Sequence, residues 1–314
     1  MHTVSETTLA EPVVPRMARH LPANCDLLTV VVEDYFQVGA FKGKISKERW
    51  YRFDTRLVAN LRRTLDLLAE HDARATFFMH GWIAEHFPEL ARTVVDAGHE
   101  VGNLGYNHRD VANLGREAFR DDLLRAHEHL VAATGRNVVG YRLSEGWLAP
   151  NQMWLLDVLA EEGYAYDSSL LPLLRRFAAA PEKWFVHRYE NEQNAIWEVP
   201  LSALNIGGLG IPIAGGNYFR QFPEYLLKRG IGRWRARFDE PLVIYFHTWE
   251  LDHDQPRIQG ISPLTRMRHY RNLRQMERLL HELLSRSRFV SVAEHLQLET
   301  TALDATSASQ GSLS

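Results

Sequence analysis

Strand-like apolar runs alternate with amphipathic segments along most of this chain. The run DLLTVVVEDYF is apolar until its closing acids, which is typical of a strand buried on both faces. RLVANLRRTLDLLAEHD follows it, with Leu57, Leu61, Leu65 and Leu68 at helical spacing. Strand alternating with helix predicts a parallel sheet covered by helices, and therefore an α/β fold.

The same alternation continues to the C-terminal part of the chain. Further strand patterns are ARATFFMHG, HEVGNLG, YAYDSS, IWEVPLS, PLVIYFHTWELD and RFVSVAEH. Helical patterns lie between them in EHFPELARTVVDAG, REAFRDDLLRAHEHLVAATG, MWLLDVLAEEG and LRQMERLLHELLSR. This many units favour a (β/α) barrel over an open sheet, although sequence separates the two poorly. In either fold, polar residues just after the strands face the ligand side.

The two ends of the chain differ from its middle. Residues 1–24 and 300–314 are polar or small and carry no sustained period, so we predict a flexible N-terminus and a flexible tail. Residues 25–299 contain neither a linker nor a repeat, which predicts a single domain.

Composition excludes several classes of function. The formal net charge is -3, from 36 basic and 39 acidic residues, so a nucleic-acid partner is not expected. The single cysteine, Cys25, excludes an intrachain disulfide and a multi-cysteine zinc site. No run approaches the ~18 apolar residues of a membrane span, and no secretory signal precedes the first strand. These features predict a cytoplasmic protein.

Acids, histidines and an arginine follow most of the predicted strands. They are Glu33 and Asp34, His80, the stretch 103–108, Arg142, Asp167, His247, Glu250 and Asp252. Because parallel strands end at one edge of a sheet, these side chains predict a polar site at that edge.

Several of these motifs together resemble the polysaccharide deacetylase family, also called the NodB-homology family or carbohydrate esterase family four. They are VEDYFQV, ATFFMHGWIAEHFPELARTVVDAGHEVG, GYR, YDSSL, YFHTWELDHDQPR and RHYRNLRQMERLL, spread over residues 26–298. The branch most similar to them is found in exosortase-associated exopolysaccharide loci. The resemblance implies a distorted (β/α) barrel of about seven strands.

The resemblance also implies a catalytic set that this chain holds only in part. Active members use an Asp of the first strand as general base, with a divalent metal bound by a second acid and two histidines. Here the base position is Val31 and the first histidine position is Leu104, whereas the metal acid is retained as Glu33 and the second histidine as His108. Loss of a general base typically costs ~10²–10⁴-fold in rate. With two ligands in place of three, we expect no metal or a weakly bound one such as zinc.

The accessory residues of the family are better preserved. The GYR motif supplies Arg142, which in relatives orients the base, and YDSSL supplies Asp167. The YFH motif supplies His247, the acid that protonates the leaving amine in active relatives. His80 stands where relatives carry an apolar residue, so it is a candidate ligand for a rebuilt metal site.

Aromatic residues accompany these motifs, and their flat faces suit sugar rings. The candidate substrate-binding residues are Tyr35, Tyr106, Trp147, Trp249 and Glu250. Core packing accounts equally well for about half of the aromatic ones.

Three functions remain open from sequence. The first is an active metal-dependent deacetylase of N-acyl bonds. The second is a relative that has lost hydrolysis and binds a glycan, a small molecule or a partner enzyme of a polysaccharide pathway. The third is a metal-free acid/base enzyme in a biosynthetic pathway.

Overall fold

A computed structural model describes residues 25–107, 114–174, 177, 180–207 and 209–300. The predicted flexible segments, 1–24 and 300–314, lie outside the described residues except for position 300, and His108 lies outside them as well.

The described residues form strands and helices in alternation, as the sequence predicts. The strands are β1 (Cys25–Val32), β2 (Thr76–Met79), β3 (Glu100–Asn103), β4 (Gly140–Tyr141), β5 (Tyr166–Asp167), β6 (His187–Glu190), β7 (Ala195–Glu198), β8 (Ala203–Ile206), β9 (Leu209–Pro212), β10 (Val243–His247) and β11 (Arg288–Val290). The helices are α1 (Leu57–Glu70), α2 (Gly81–His86), α3 (Pro88–Asp96), α4 (Arg116–Thr134), α5 (Trp154–Glu161), α6 (Asn217–Gln221), α7 (Glu224–Arg237), α8 (Pro263–Tyr270), α9 (Leu273–Leu284) and α10 (Val292–Leu296).

The main sheet is parallel over seven neighbouring strands, in the order β10-β1-β2-β3-β4-β5-β7. Strand β6 extends it antiparallel to β7, and β11 pairs with the start of β1. The segment after β7 reaches back to β10, where Ser202 N donates to Val243 O at 3.2 Å and Tyr245 N donates to Ala214 O at 2.7 Å. The sheet therefore curls into a half-barrel, and the predicted distorted barrel of about seven strands is confirmed.

The strands and helices meet in a large apolar core. All eight residues of β1 are buried, as expected for a strand covered on both faces. Helix α1 contributes Leu57, Leu61 and Leu68 to this core, so the leucine spacing marks the buried face. Helix α4 ends at Gly135 in the left-handed conformation, which terminates the helix as the sequence predicts.

One predicted helix is divided in two. EHFPELARTVVDAG reads as a single helix, but α2 ends at His86 and α3 begins at Pro88. Phe87 between them has φ -138° and ψ 57°, outside the helical region. The proline ring disfavours helical geometry at the residue before it, and this explains the break.

Within the described ranges, no helix combines the length and the apolar composition that crossing a bilayer requires.

Candidate functional site

The carboxyl ends of β10, β1 and β2 lie side by side at one edge of the sheet. In the register of these strands Val31 is paired with His247 on one side and with Phe78 on the other. Glu33 and His80 stand two residues after Val31 and Phe78, just past the ends of β1 and β2, and both are buried. The tertiary structure thus brings together residues that are more than 200 positions apart in sequence.

Glu33 and His247 form the polar centre of this edge. His247 Nδ1 lies 2.8 Å from Glu33 Oε1, and the Trp249 indole N–H donates to the same oxygen at 3.1 Å. Glu33 is buried, whereas 26% of the His247 side chain is exposed. Burial by itself lowers the pKa of His247, but the charges of Glu33 and Glu250 outweigh it and raise the pKa above the ordinary 6.5. A protonated imidazole that solvent can reach can donate a proton.

Replacing Glu33 with Gln is expected to lower the pKa of His247, because the negative partner is lost while burial remains. In the native protein the pKa of His247 is raised above its value in the unfolded chain. The charged pair therefore stabilises the fold at pH values below the unfolded pKa, and this contribution is lost as pH rises through the folded pKa. An NMR titration of the His247 ring between about pH 5 and 9 measures the change. Asp254→Asn, which removes an exposed carboxylate beside His253, is the control and leaves His247 unchanged. A His247 pKa that stays the same in Glu33→Gln would contradict this assignment.

A buried ion pair supports the segment after β10. Arg220 Nε donates to Glu250 Oε1 at 2.6 Å, and Glu250 Oε2 accepts the His247 backbone N–H at 2.9 Å. Both side chains of the ion pair are almost completely buried. The Arg220 guanidinium lies 4.9 Å from the centre of the Trp249 ring, and the imidazole of His269 stacks on that ring at 4.2 Å. Glu250 therefore fixes the backbone of His247, and Trp249 is held on two sides.

Arg142 lies beneath the centre of the site and is buried. It donates to Thr29 Oγ1 at 2.8 Å, to Ser168 O at 2.8 Å and to Ser168 Oγ at 2.7 Å. Its guanidinium also lies 4.5 Å from the centre of the Phe78 ring. Burial lowers the pKa of Arg142 to about 10. Among the described residues it makes no salt bridge, and neutral acceptors and an aromatic face surround its guanidinium.

Val31 and Leu104, the residues expected at the base and first-histidine positions, belong to one apolar cluster. Val31 and Leu104 are both buried and pack with Phe78 and Tyr245, and the partly buried Trp147 lies against the same cluster. We call Val31, Phe78, Leu104 and Tyr245 the inner cluster. Both side chains therefore lie in the same hydrocarbon environment.

Asp167 forms part of a buried carboxyl pair on the neighbouring strands. Its register partner on β7 is Glu198, and both are fully buried. Ser169 donates to Asp167 from its hydroxyl at 2.6 Å and from its backbone N–H at 3.0 Å. Burial raises the pKa of Glu198 well above its ordinary value, and the nearby Asp167 raises it further. Burial also raises the pKa of Asp167, so both carboxyl groups of this pair are shifted towards the neutral form.

The donors around Glu33 do not reproduce a three-ligand metal set among the described residues. Leu104 offers no donor, and one oxygen of Glu33 is already occupied by His247 and Trp249. His80 Nδ1 faces Gly105 O at 3.3 Å, and His108 lies outside the described residues. Elsewhere in the described part of the chain, potential metal ligands lie close together at Glu70, His71 and His281, at the end of α1 and in α9. The donor set at Glu33 therefore fits the family metal poorly.

Two of the predicted sugar-binding aromatics are held by other parts of the fold. Tyr35 is buried in a cluster with Phe36 and Trp249. Tyr106 bonds through its hydroxyl to Glu85 and accepts from Arg125, whose guanidinium covers the ring at 3.5 Å. Trp147 is only partly buried beside the inner cluster, with its ring 5.6 Å from that of Tyr245. Of the predicted aromatics, Trp147 therefore offers the most accessible ring beside the inner cluster.

The loop after β1 extends over the carboxyl edge. The Asp34 carboxylate anchors both of its ends, accepting from Tyr35 N, Thr55 Oγ1 and Arg56 N at 2.8 to 2.9 Å. Lys42 in this loop pairs with Glu145 at 2.9 Å. A hollow of about 350 Å³ lies between this loop and Glu145.

Sequence reasoning missed Arg220 and Glu198. Arg220 stands in a glycine-rich stretch without a recognisable motif, and Glu198 is a single acid within a strand pattern. Only their burial beside Glu250 and Asp167 identifies them. An acid inside an otherwise apolar strand, as in IWEVPLS, was the available signal for Glu198.

Comparison with known proteins finds two family matches along the chain. Residues 43–166 match the polysaccharide deacetylase family, and residues 168–297 match a domain of unknown function, DUF3473. Residues 43–166 are therefore similar to a polysaccharide deacetylase domain. The deacetylase match begins after β1, so it includes neither Val31 nor Glu33.

Curated relatives share part of this domain. A peptidoglycan deacetylase of Helicobacter pylori is 34% identical over 109 residues, covering 35% of this chain and 36% of the relative. A chitooligosaccharide deacetylase of Sinorhizobium fredii is 36% identical over 101 residues, covering 32% of this chain and 45% of the relative. The chain thus spans less than half the length of these relatives.

Solved structures share the fold over almost the whole chain. A protein described as a polysaccharide deacetylase from Mycobacterium smegmatis has a TM-score of 0.54 at 18% identity, covering 93% of this chain and 98% of that one. An allantoinase has a TM-score of 0.58 at 17% identity, covering 94% and 97%. At such identities the likeness concerns the fold alone.

Proposed function

We propose that this deacetylase-family chain binds a glycan or a related small molecule at the carboxyl edge without metal-dependent deacetylation. The observation that carries the proposal is the inner cluster, in which Val31 and Leu104 pack together with Phe78 and Tyr245. A valine cannot accept a proton and a leucine cannot bind a metal. The polar residues that remain, Glu33 and His247, are bonded to each other.

The same edge has features that suit a sugar ligand. Trp147 presents a partly exposed ring next to the inner cluster, and His247 reaches solvent beside it. Apolar rings with polar groups at their rims match the faces and hydroxyls of a sugar. The hollow beside Glu145 offers further space for a ligand longer than one ring.

A second candidate function is metal-free acid/base chemistry, favoured by the 2.8 Å contact between His247 and Glu33. Glu33 holds the imidazole through Nδ1 and favours its charged form, so Nε2 is the nitrogen that would exchange a proton with a ligand. This arrangement resembles a histidine oriented by a buried carboxylate in other enzymes. Glu33 would act as a positioning residue and His247 as the acid.

Metal content and acetate release test the main proposal. Elemental mass spectrometry of the purified protein is expected to find no stoichiometric divalent metal, and N-acetylated chito-oligosaccharides are expected to release no acetate. Calorimetric binding of the same oligosaccharides is expected in the native protein and is expected to weaken in His247→Ala, whereas unchanged binding in that variant would place the ligand elsewhere. Near-stoichiometric zinc that is lost in His80→Ala, together with acetate release, would instead establish a rebuilt metal site and an active deacetylase.

The pathway context is also a proposal. The motifs shared with the exosortase-associated branch support a place in exopolysaccharide metabolism, either acting on a glycan or contacting a partner enzyme. Deletion of the gene followed by composition analysis of the secreted polysaccharide tests this, and an unchanged polysaccharide would contradict it.

A further inference from the structure

A groove runs beside the candidate site along the loop after β10 and helix α8. It consists of two hollows of about 500 and 300 Å³ that share Arg257 and Tyr270 in their walls. The larger hollow is completed by Ile261, Met267 and Arg271, and the smaller one extends towards the first turn of α9. We call these two hollows the arginine groove.

The arginine groove carries a local positive charge, because its exposed arginines have no acidic partner among the described residues. The exposed arginines of this segment are Arg257, Arg266, Arg268, Arg271 and Arg274. The described residues that line the two hollows include no acidic side chain. In the described part of the chain none of the five forms an ion pair, whereas the exposed Arg278 and Arg286 nearby are each paired with a glutamate. The chain as a whole has a net charge of -3, so this segment stands out as a cationic patch.

The walls of the groove also provide rings and apolar surface. The guanidinium of Arg257 lies 5.0 Å from the centre of the Tyr270 ring, and Met267 is 49% exposed. Guanidinium groups bind carboxylates through paired hydrogen bonds, while a tyrosine face packs against a sugar ring. This combination of groups suits a sugar that carries a carboxylate.

Stacking and hydrogen bonds connect the arginine groove to the candidate site. His269 of α8 stacks on Trp249, and its Nε2 lies 2.9 Å from Gln255 Oε1. Gln255 donates in turn to Trp249 O at 3.1 Å. Arg220 Nη1 donates to the carbonyls of Arg268 and His269 at 2.9 and 2.6 Å. Because Trp249 also bonds to Glu33, one continuous set of contacts joins the groove to the carboxyl edge.

We infer that the arginine groove binds a glycan bearing carboxylates, such as a chain of uronic acid residues, next to the site at Glu33 and His247. The inference rests on the proposed glycan-binding function and names the substrate class of that site. The acidic overall charge, the groove's apolar walls and its link to a deacetylase-type site favour a glycan over nucleic acid as the anion. The arginines bind the carboxylates of the ligand, and the carboxyl edge binds the sugar unit next to them.

Calorimetric titration with a hexamer of galacturonic acid tests the inference, with the uncharged hexamer of N-acetylglucosamine as the reference ligand. The anionic hexamer is expected to bind the native protein at least about tenfold more tightly, and added salt is expected to weaken it selectively. Arg257→Gln with Arg271→Gln is expected to remove most of this preference, since two charge-assisted contacts are lost. The matched control is Arg229→Gln with Arg233→Gln, two exposed arginines of α7 outside the groove, with an expected change below about twofold.

Three results would overturn the inference. One is equal binding of the charged and uncharged hexamers, and another is an equal loss of affinity in the α7 control. The third is equally tight binding of a single-stranded DNA oligonucleotide of the same charge, which would identify the groove as a nucleic-acid or general polyanion surface. If the protein binds the charged and the uncharged hexamer equally tightly, only the groove assignment fails. If neither hexamer binds, the proposed glycan function itself fails.

Discussion

Arg220→Ala is expected to lower the free energy of unfolding by about 3–5 kcal/mol, the range typical of breaking a buried ion pair. The variant leaves the Glu250 carboxylate buried without its cation, and Glu250 is 1% exposed. Three carbonyls of residues 268, 269 and 271 lose their donor at the same time. Chemical denaturation monitored by tryptophan fluorescence measures the change.

Two controls separate the ion pair from general effects of losing an arginine. Arg278→Ala removes an exposed partner of Glu224, so its expected cost is far smaller than that of Arg220→Ala. Arg220→Met combined with Glu250→Gln removes both charges and is expected to recover part of the loss, because no uncompensated charge remains. If Arg220→Ala lowers the free energy of unfolding by less than about 1 kcal/mol, the Glu250 carboxylate is solvated in the variant and the ion pair does not support His247.

Gly215→Ala is expected to destabilise the fold by about 3 kcal/mol or more, combining backbone strain with a steric clash. Gly215 has φ +106°, and an added Cβ would lie 2.1 Å from the carbonyl oxygen of Tyr245. This glycine allows the returning segment to pair with β10, where Gly216 N donates to Tyr245 O at 2.8 Å. The clash is with backbone, so side-chain rotation cannot relieve it.

Gly232→Ala is the matched control for this prediction. Gly232 lies in α7 with nothing within 4 Å of the added Cβ, so alanine is expected to stabilise the protein by about 0.5–1 kcal/mol. Thermal unfolding of the two variants beside the native protein measures both. Gly215→Ala with native stability would show that the 214–216 segment does not close the sheet against β10.

Much of the fold could be predicted because its signals are local. The apolar run of β1 and the leucine spacing of α1 fall within short windows, and burial of those residues follows the predicted faces. The divided helix at Phe87 was missed because the helical period continues across it, although Pro88 carries the signal for the break. Strand-end positions for Glu33, His80 and His247 also followed from the alternating pattern.

The partners within the site could be predicted less well. Glu33 was expected at the site as a metal ligand and His247 as a separate proton donor. Their direct contact depends on the register of β1 with β10. Tyr106 carries the same aromatic signal as Trp147, yet its ring is covered by Arg125. Adjacency to a motif therefore does not decide which way a side chain is turned.

The sequence by itself determined the α/β alternation and the edge at which polar residues collect, and it placed the apolar residues Val31 and Leu104 among them. Only the tertiary structure decided that these two residues pack in one inner cluster, that Arg220 is the cation for Glu250, and that unpaired arginines line a groove joined to the site. Periodicity reports which face of an element is buried, because burial repeats with the backbone. Pairing between distant residues depends on strand register and helix packing, which no local pattern encodes.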